Sequence, residues 1–166
     1  MSGLVRNLIT LISALLCRTR MNVDSIVVSH FLITPLDCGV STLKSDKYFQ
    51  LAESAQLDFL VRTKLFGQLV SGGVSFVNSS QLVKFMKPVR LFNRIRVDTR
   101  IVFIDGKNVI FSHSVFSGAG KCSEVLVKMK FKKGSLTVDP VELLGDIRQE
   151  SPPYVLSWNA TLESIS

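Results

Sequence analysis

The chain is poor in the residues that build metal sites and covalent staples: 166 residues hold three Cys and two His. Cys17, Cys38 and Cys122 stand far apart, odd in number, and form no CxxC pair. That excludes a disulfide framework and a thiolate zinc site, and it suits a reducing cytosol. His30 and His113 cannot supply a histidine-rich metal cluster, so no metal and no resident cofactor is expected. Charged residues are only 20% of the chain against 46% hydrophobic, which excludes a disordered polymer. Long apolar runs are missing too. The stretch "MSGLVRNLITLISALLCRTRM" is broken by Arg6, Asn7, Thr10 and Ser13, whereas a bilayer span takes ~20 apolar residues. It also fits a signal peptide poorly, having a barely basic start and no A-x-A site. No Lys/Arg block is interleaved with aromatics, so nucleic acid is not an expected partner.

What is present is a basic chain long enough for one domain with a sizeable core. Net charge is +7 and the pI about 9.6, which favours an anionic partner such as a phosphorylated cofactor or an acidic membrane surface. Near the start, Leu4, Leu8, Leu11, Ile12, Leu15 and Leu16 recur at helical spacing, and Arg18 and Arg20 follow. This predicts an amphipathic helix within residues 1–22. It either packs on its own domain or a partner subunit, or it lies on a membrane through residues 4–17 with its basic end at the headgroups.

The rest of the chain, residues 23–147, reads as one domain, with residues 148–166 a loose tail. Residues 25–34 are rich in β-branched side chains and read as a strand that Pro35 closes. Ser45 is placed to cap a long helix, with Asp46 at its positive end and Gly67 at its stop. Tyr48, Ala52, Ala55 and Phe59 make its apolar stripe; Lys47, Gln50, Ser54 and Asp58 make a polar face. After Gly72-Gly73 come alternating segments. Ile95, Val97, Thr99, Ile101 and Phe103 face one way and Arg94, Arg96, Asp98 and Arg100 the other. Asp105-Gly106 is a hairpin signal, and Gly118 and Gly120 turn the chain again. A short helical piece is expected beyond Pro140. One buried helix with several half-apolar strands has one economical solution, an α+β domain whose antiparallel sheet curls around the helix.

Two stretches carry a resemblance. "LDCGVSTLKSDKYFQLAESAQ" joins an acid in a turn to a helix bearing Tyr48 and, five residues on, Glu53. "VKFMKPVRLFNRIRVDTRIVFIDGKNVIFSHSVF" gives a strand, a corner and a hairpin. Together they resemble the hot-dog-fold acyl-CoA thioesterases of the 4-hydroxybenzoyl-CoA thioesterase type, nearest the thioesterase-superfamily member-six-like branch, over residues 25–145. The resemblance implies a homodimer or homotetramer that hydrolyses an acyl-CoA or related thioester between subunits; the cysteine usage and the N-terminal helix make the expected location the cytoplasm, or the periphery of a membrane. It makes Asp37 the nucleophile or base and gives the helix-start amides, at Ser45 or Asp46, the task of polarising the thioester carbonyl. The pattern usual in the family, Asp-x-x-Gly-His-x-Asn-Asn-x-x-Tyr, is altered: Asp37 reaches Tyr48 with one residue more, Ser41 or Thr42 stands where His is usual, and Lys44-Ser45 replaces Asn-Asn.

Read from the residues alone, Asp37 is equally a turn acid bonded to local amides. Glu53 is the second candidate acid. Phe49, Gln56 and Leu60 flank it, and partial burial there raises a carboxyl pKa. Ser79 and Ser80 are candidates for substrate contact, although no G-x-S-x-G elbow surrounds them. His113 reads as a core histidine. Arg94, Arg96, Lys128 and Lys130 form strand-face basic rows, either a solvated face or a weak patch for coenzyme A phosphates. The competing function is a catalytically silent hot-dog module that binds acyl chains or a protein partner.

Overall fold

The structure, a computed structural model, describes residues 3–16, 21–145 and 150–165. Cys17, Arg18 and Arg20 lie outside the described residues. The elements run α1 (Gly3–Leu16), β1 (Val27–Leu32), a 3₁₀ turn (Pro35–Asp37), α2 (Ser45–Arg62), α3 (Leu65–Gly72), β2 (Ser75–Phe85), β3 (Arg94–Ile104), β4 (Val109–Ser117), β5 (Gly120–Lys133), β6 (Leu136–Val138), α4 (Pro140–Leu144) and α5 (Pro153–Ile165).

The strands form one antiparallel sheet in the order β1-β3-β4-β5-β2, with the short β6 added to β5. The sheet curls around α2, the expected α+β hot-dog architecture. Leu51, Ala55 and Phe59 of α2 are fully buried against Val97, Phe111, Val127 and Phe131 of the sheet. Phe59 meets Phe111 edge to face, ring centroids 5.3 Å apart, the geometry aromatic quadrupoles prefer.

Several boundaries differ from those the sequence predicts, each for a local reason. The long helix stops at Arg62, not at Gly67. Lys64 adopts a left-handed conformation (φ 63°) that ends one helix and begins α3, so Gly67 lies inside α3. Lys44, not Ser45, takes the extended cap position, and Ser45 is the first helical residue. Phe103 leaves the row of Ile95, Val97 and Ile101, because a bulge between Ile101 and Phe103 inserts one residue. Val102 and Phe103 thereby turn to the sheet's outer face.

There they meet α5. The tail expected to be loose contains this helix, which lays Val155 and Trp158 on Val102, Ile110 and Leu126 as a second small core. Lys128 reaches across to Asn159 Oδ1 at 3.0 Å. The outer face is thus part apolar and covered by α5, where a solvated face or a patch for coenzyme A phosphates was expected.

The N-terminal helix packs along α2, but with the opposite face to the one its pattern suggests. Arg6 and Ala14 are buried. Asn7 Oδ1 lies 2.5 Å from Ser54 Oγ. Leu8, Ile9, Ile12 and Leu15 stand 55%, 51%, 50% and 64% exposed. The same contact explains why Ser54 and Asp58, expected on a solvated face of α2, are buried. No helix among the described residues is long and apolar enough to cross a membrane.

Candidate functional site

The turn before α2 is built around Asp37. Its side chain has no solvent exposure. Oδ2 accepts hydrogen bonds from the Thr34 amide at 3.0 Å and the Thr34 hydroxyl at 2.7 Å, closing a capping box over the 3₁₀ turn. Oδ1 accepts from Arg6 Nη2 at 2.5 Å, an ion pair with both partners buried. Burial on its own would raise the Asp37 pKa. The Thr34 and Arg6 hydrogen bonds and the Arg6 charge outweigh it and hold the carboxyl down at about 2. A carboxylate so acidic is a weak proton acceptor near neutral pH. Its main-chain carbonyl accepts from the Lys44 amide at 3.0 Å and so ties the turn to the start of α2. Of the two roles open to Asp37 in the sequence, this is the geometry of the turn acid, supplemented by a partner 31 positions earlier. An isolated Arg in an apolar helix and an isolated Asp in a turn were the only sequence signals of that pairing.

Beside the turn, a cleft of about 290 Å³ opens at the amino end of α2, lined by Thr42, Ser45, Tyr48, Phe85, Lys87 and Pro88 among others. Ser45 and Asp46 occupy the first helical turn, where amide N–H groups have no carbonyl one turn back to bond and the helix dipole is positive. Tyr48 is buried at the cleft's base, edge to face with Phe85 at 5.0 Å. Burial pushes its hydroxyl pKa up, and a hydrogen bond with the Val89 backbone works against that. Cys38, next to Asp37, is buried, and its thiol pKa is raised by that burial and by the Asp37 charge. It is not a ready nucleophile.

The other sequence candidates are dispersed. Glu53 is exposed on α2, where partial burial was expected, because its position on the helix points away from the sheet. Ser79 is exposed on β2 with its hydroxyl bonded to the Lys128 carbonyl at 3.0 Å, and Ser80 follows it in the strand. Neither lines the α2 cleft. Arg96 pairs with Asp98 at 2.9 Å and lies over the Phe116 ring at 4.5 Å. Lys128 is engaged by α5, while Arg94 is exposed and Lys130 half-buried on separate strands. These four cations do not converge on one pocket among the described residues.

Other polar groups in the interior went unread in the sequence. Asp58 accepts from Ser29 at 2.6 Å and Arg62 at 2.8 Å. Gln56 reaches Met129 Sδ at 2.8 Å and Asn78 at 3.3 Å. His113 is fully buried, as expected of a core histidine, with Nδ1 3.0 Å from Thr99 Oγ1. Burial drives its pKa down to about 3, so it is neutral. Among the described residues no group of His, Cys, Asp and Glu could hold a metal.

A curled antiparallel sheet around one helix, with an amide-rich helix start opening on a cleft, defines a hot-dog protein of the thioesterase kind. The model of the thioesterase-like superfamily matches residues 40–145, more than half of the chain, and the chain belongs to that superfamily. Solved structures agree in fold. A probable thioesterase from Bartonella henselae superposes with a TM-score of 0.64 at 16% identity, covering 69% of this chain and 98% of that one. The probable thioesterase YbaW from Escherichia coli gives 0.62 at 15%, covering 69% and 90%. A hypothetical thioesterase from Streptococcus pneumoniae, solved with coenzyme A, gives 0.57 at 12%, covering 76% and 94%. No curated protein matches the chain.

Proposed function

We propose that the chain hydrolyses an acyl-coenzyme A thioester to free acid and thiol in the cleft at the amino end of α2, completed by a second copy of the chain. The observation that carries this reading is the helix start itself, with the first-turn amides of Ser45 and Asp46 beside an open cleft. A thioester carbonyl seated there would have its developing oxyanion stabilised by fixed N–H donors, usually the largest single contribution to acyl transfer. Membership of the superfamily and the coenzyme A bound in the Streptococcus pneumoniae protein support the substrate class.

In this reading Asp37 is a positioning residue. It holds the turn that sets the start of α2, and its oxygens are already occupied. Water activation falls to Glu53, the exposed carboxylate on α2, which does not line the cleft of its own chain and in this reading serves the cleft of the second copy. Release of free thiol over a panel of short, long and aromatic acyl-CoAs tests this. Turnover that Glu53→Gln abolishes with the melting temperature unchanged supports the assignment.

A second reading is favoured by one observation, the burial of Asp37 in an ion pair. It makes the chain an acyl-thioester-binding module without turnover. Tight binding of the acyl-CoAs with no thiol released on any of them would select it over the hydrolase.

A further inference from the structure

We propose that α1 docks the protein onto an anionic lipid surface through its outward face. An amphipathic helix next to a folded domain ordinarily turns its apolar side inward. Here the reverse holds. Arg6 is 2% exposed and committed to Asp37, Asn7 meets Ser54, and Ala14 is buried. At about 100° per residue these side chains fall on one side of the helix. Leu8, Ile9, Ile12 and Leu15 fall on the other, within an arc of about 120°, each at least half exposed. Specific polar contacts fix the orientation, so the apolar arc is held outward as part of the fold. Such a patch marks an interaction site.

Charge identifies the occupant. α1 contains no Asp or Glu, and no acid precedes Asp24 in a chain of net charge +7. Arg62, paired with Asp58 at 2.8 Å, lines the cleft on the flank of α1, beside Ile9. An apolar helix face that carries no acid of its own, on a chain of net charge +7, matches an anionic bilayer. There the aliphatic side chains enter the headgroup boundary and the chain's excess positive charge favours the anionic surface. The helix is 14 residues long, about 21 Å at 1.5 Å per residue, enough to lie in that boundary and too short to cross it. A second copy would bury the same side chains without using the charge.

The test is flotation of the full chain with vesicles of phosphatidylcholine alone and of phosphatidylcholine mixed with phosphatidylserine. The expected result is flotation with the anionic vesicles, roughly tenfold or more weaker with neutral ones and reversed by salt. The double variant Leu8→Glu/Ile12→Glu should lose it while keeping its melting temperature. A second measurement leaves the apolar face intact: Leu8→Trp should be quenched by brominated lipid, against a constant background from Trp158, buried between α5 and the sheet. Three results would overturn the proposal. They are no flotation with either vesicle, flotation unchanged in the double variant, and absent flotation together with a drop from dimer to monomer in that variant, which would make a second copy the occupant.

Discussion

Helices α1 and α2 lie side by side and use opposite rules. α2 turns Leu51, Ala55 and Phe59 into the sheet, and burial of apolar area holds it there. α1 turns its aliphatic arc out and is held by an ion pair and a hydrogen bond, Arg6 to Asp37 and Ser54 to Asn7. A helical pattern therefore reports that two faces differ. Which face goes inside depends on what the neighbour offers. α2 offers α1 a hydroxyl, and the 3₁₀ turn offers a buried carboxylate, so the polar side of α1 finds partners there and the apolar side does not.

The contrast breaks most strongly on the α2 side. Phe59→Ala should cost roughly 3–5 kcal/mol, because the Phe111 ring and the sheet cannot close over the cavity. Urea denaturation reads this directly. On the α1 side, Arg6→Ala should cost about 3 kcal/mol by removing the Arg6 half of a buried ion pair. The apolar pair Arg6→Met/Asp37→Leu should recover most of that loss, since a buried ion pair regains little beyond its own desolvation. Failure of the pair to recover it would mean that the turn needs the Thr34 bonds as much as it needs the charge.

Acid sharpens the same comparison. Asp37 falls from an ordinary 3.8 to about 2 on folding. A depressed carboxyl contributes stability that is full above its unfolded pKa and lost as pH falls toward the folded value. About 2 kcal/mol should therefore disappear between roughly pH 5 and pH 2, and Asp37→Asn should flatten that limb. His113 falls from 6.5 to about 3. The unfolded chain takes up its proton first, so stability also declines as pH drops from about 6.5 toward 3, and His113→Gln should remove that earlier slope. The smallest expected effect is at the outward face of α1. Leu8→Glu/Ile12→Glu should change stability by no more than about 0.5 kcal/mol, because those side chains touch little of the folded chain.

Much of the architecture was legible. The alternation of Ile95, Val97, Thr99 and Ile101 and of Val125, Val127, Met129 and Phe131 carries straight into the core rows of β3 and β5. Period-two patterning works because the inward positions are apolar except for Thr99, whose hydroxyl is satisfied by His113, and each register slip would expose the whole row. The bulge that sends Phe103 outward was invisible, since one inserted residue leaves no compositional trace. The candidate site was legible in part. Tyr48 and Ser45 line one cleft and the Lys44 amide joins the turn to the helix start, but the occupancy of Asp37 by Arg6 depends on a contact between residues 31 positions apart.

Local periodicity and turn chemistry by themselves determined a curled antiparallel sheet around one buried helix, because side-chain spacing along a strand or helix is a property of neighbours in the chain. Tertiary packing alone decided which side of α1 faces water, what neutralises Asp37, and that α5 covers the outer sheet. Each of those is a choice among distant partners, settled by where a polar group can be satisfied once water is gone.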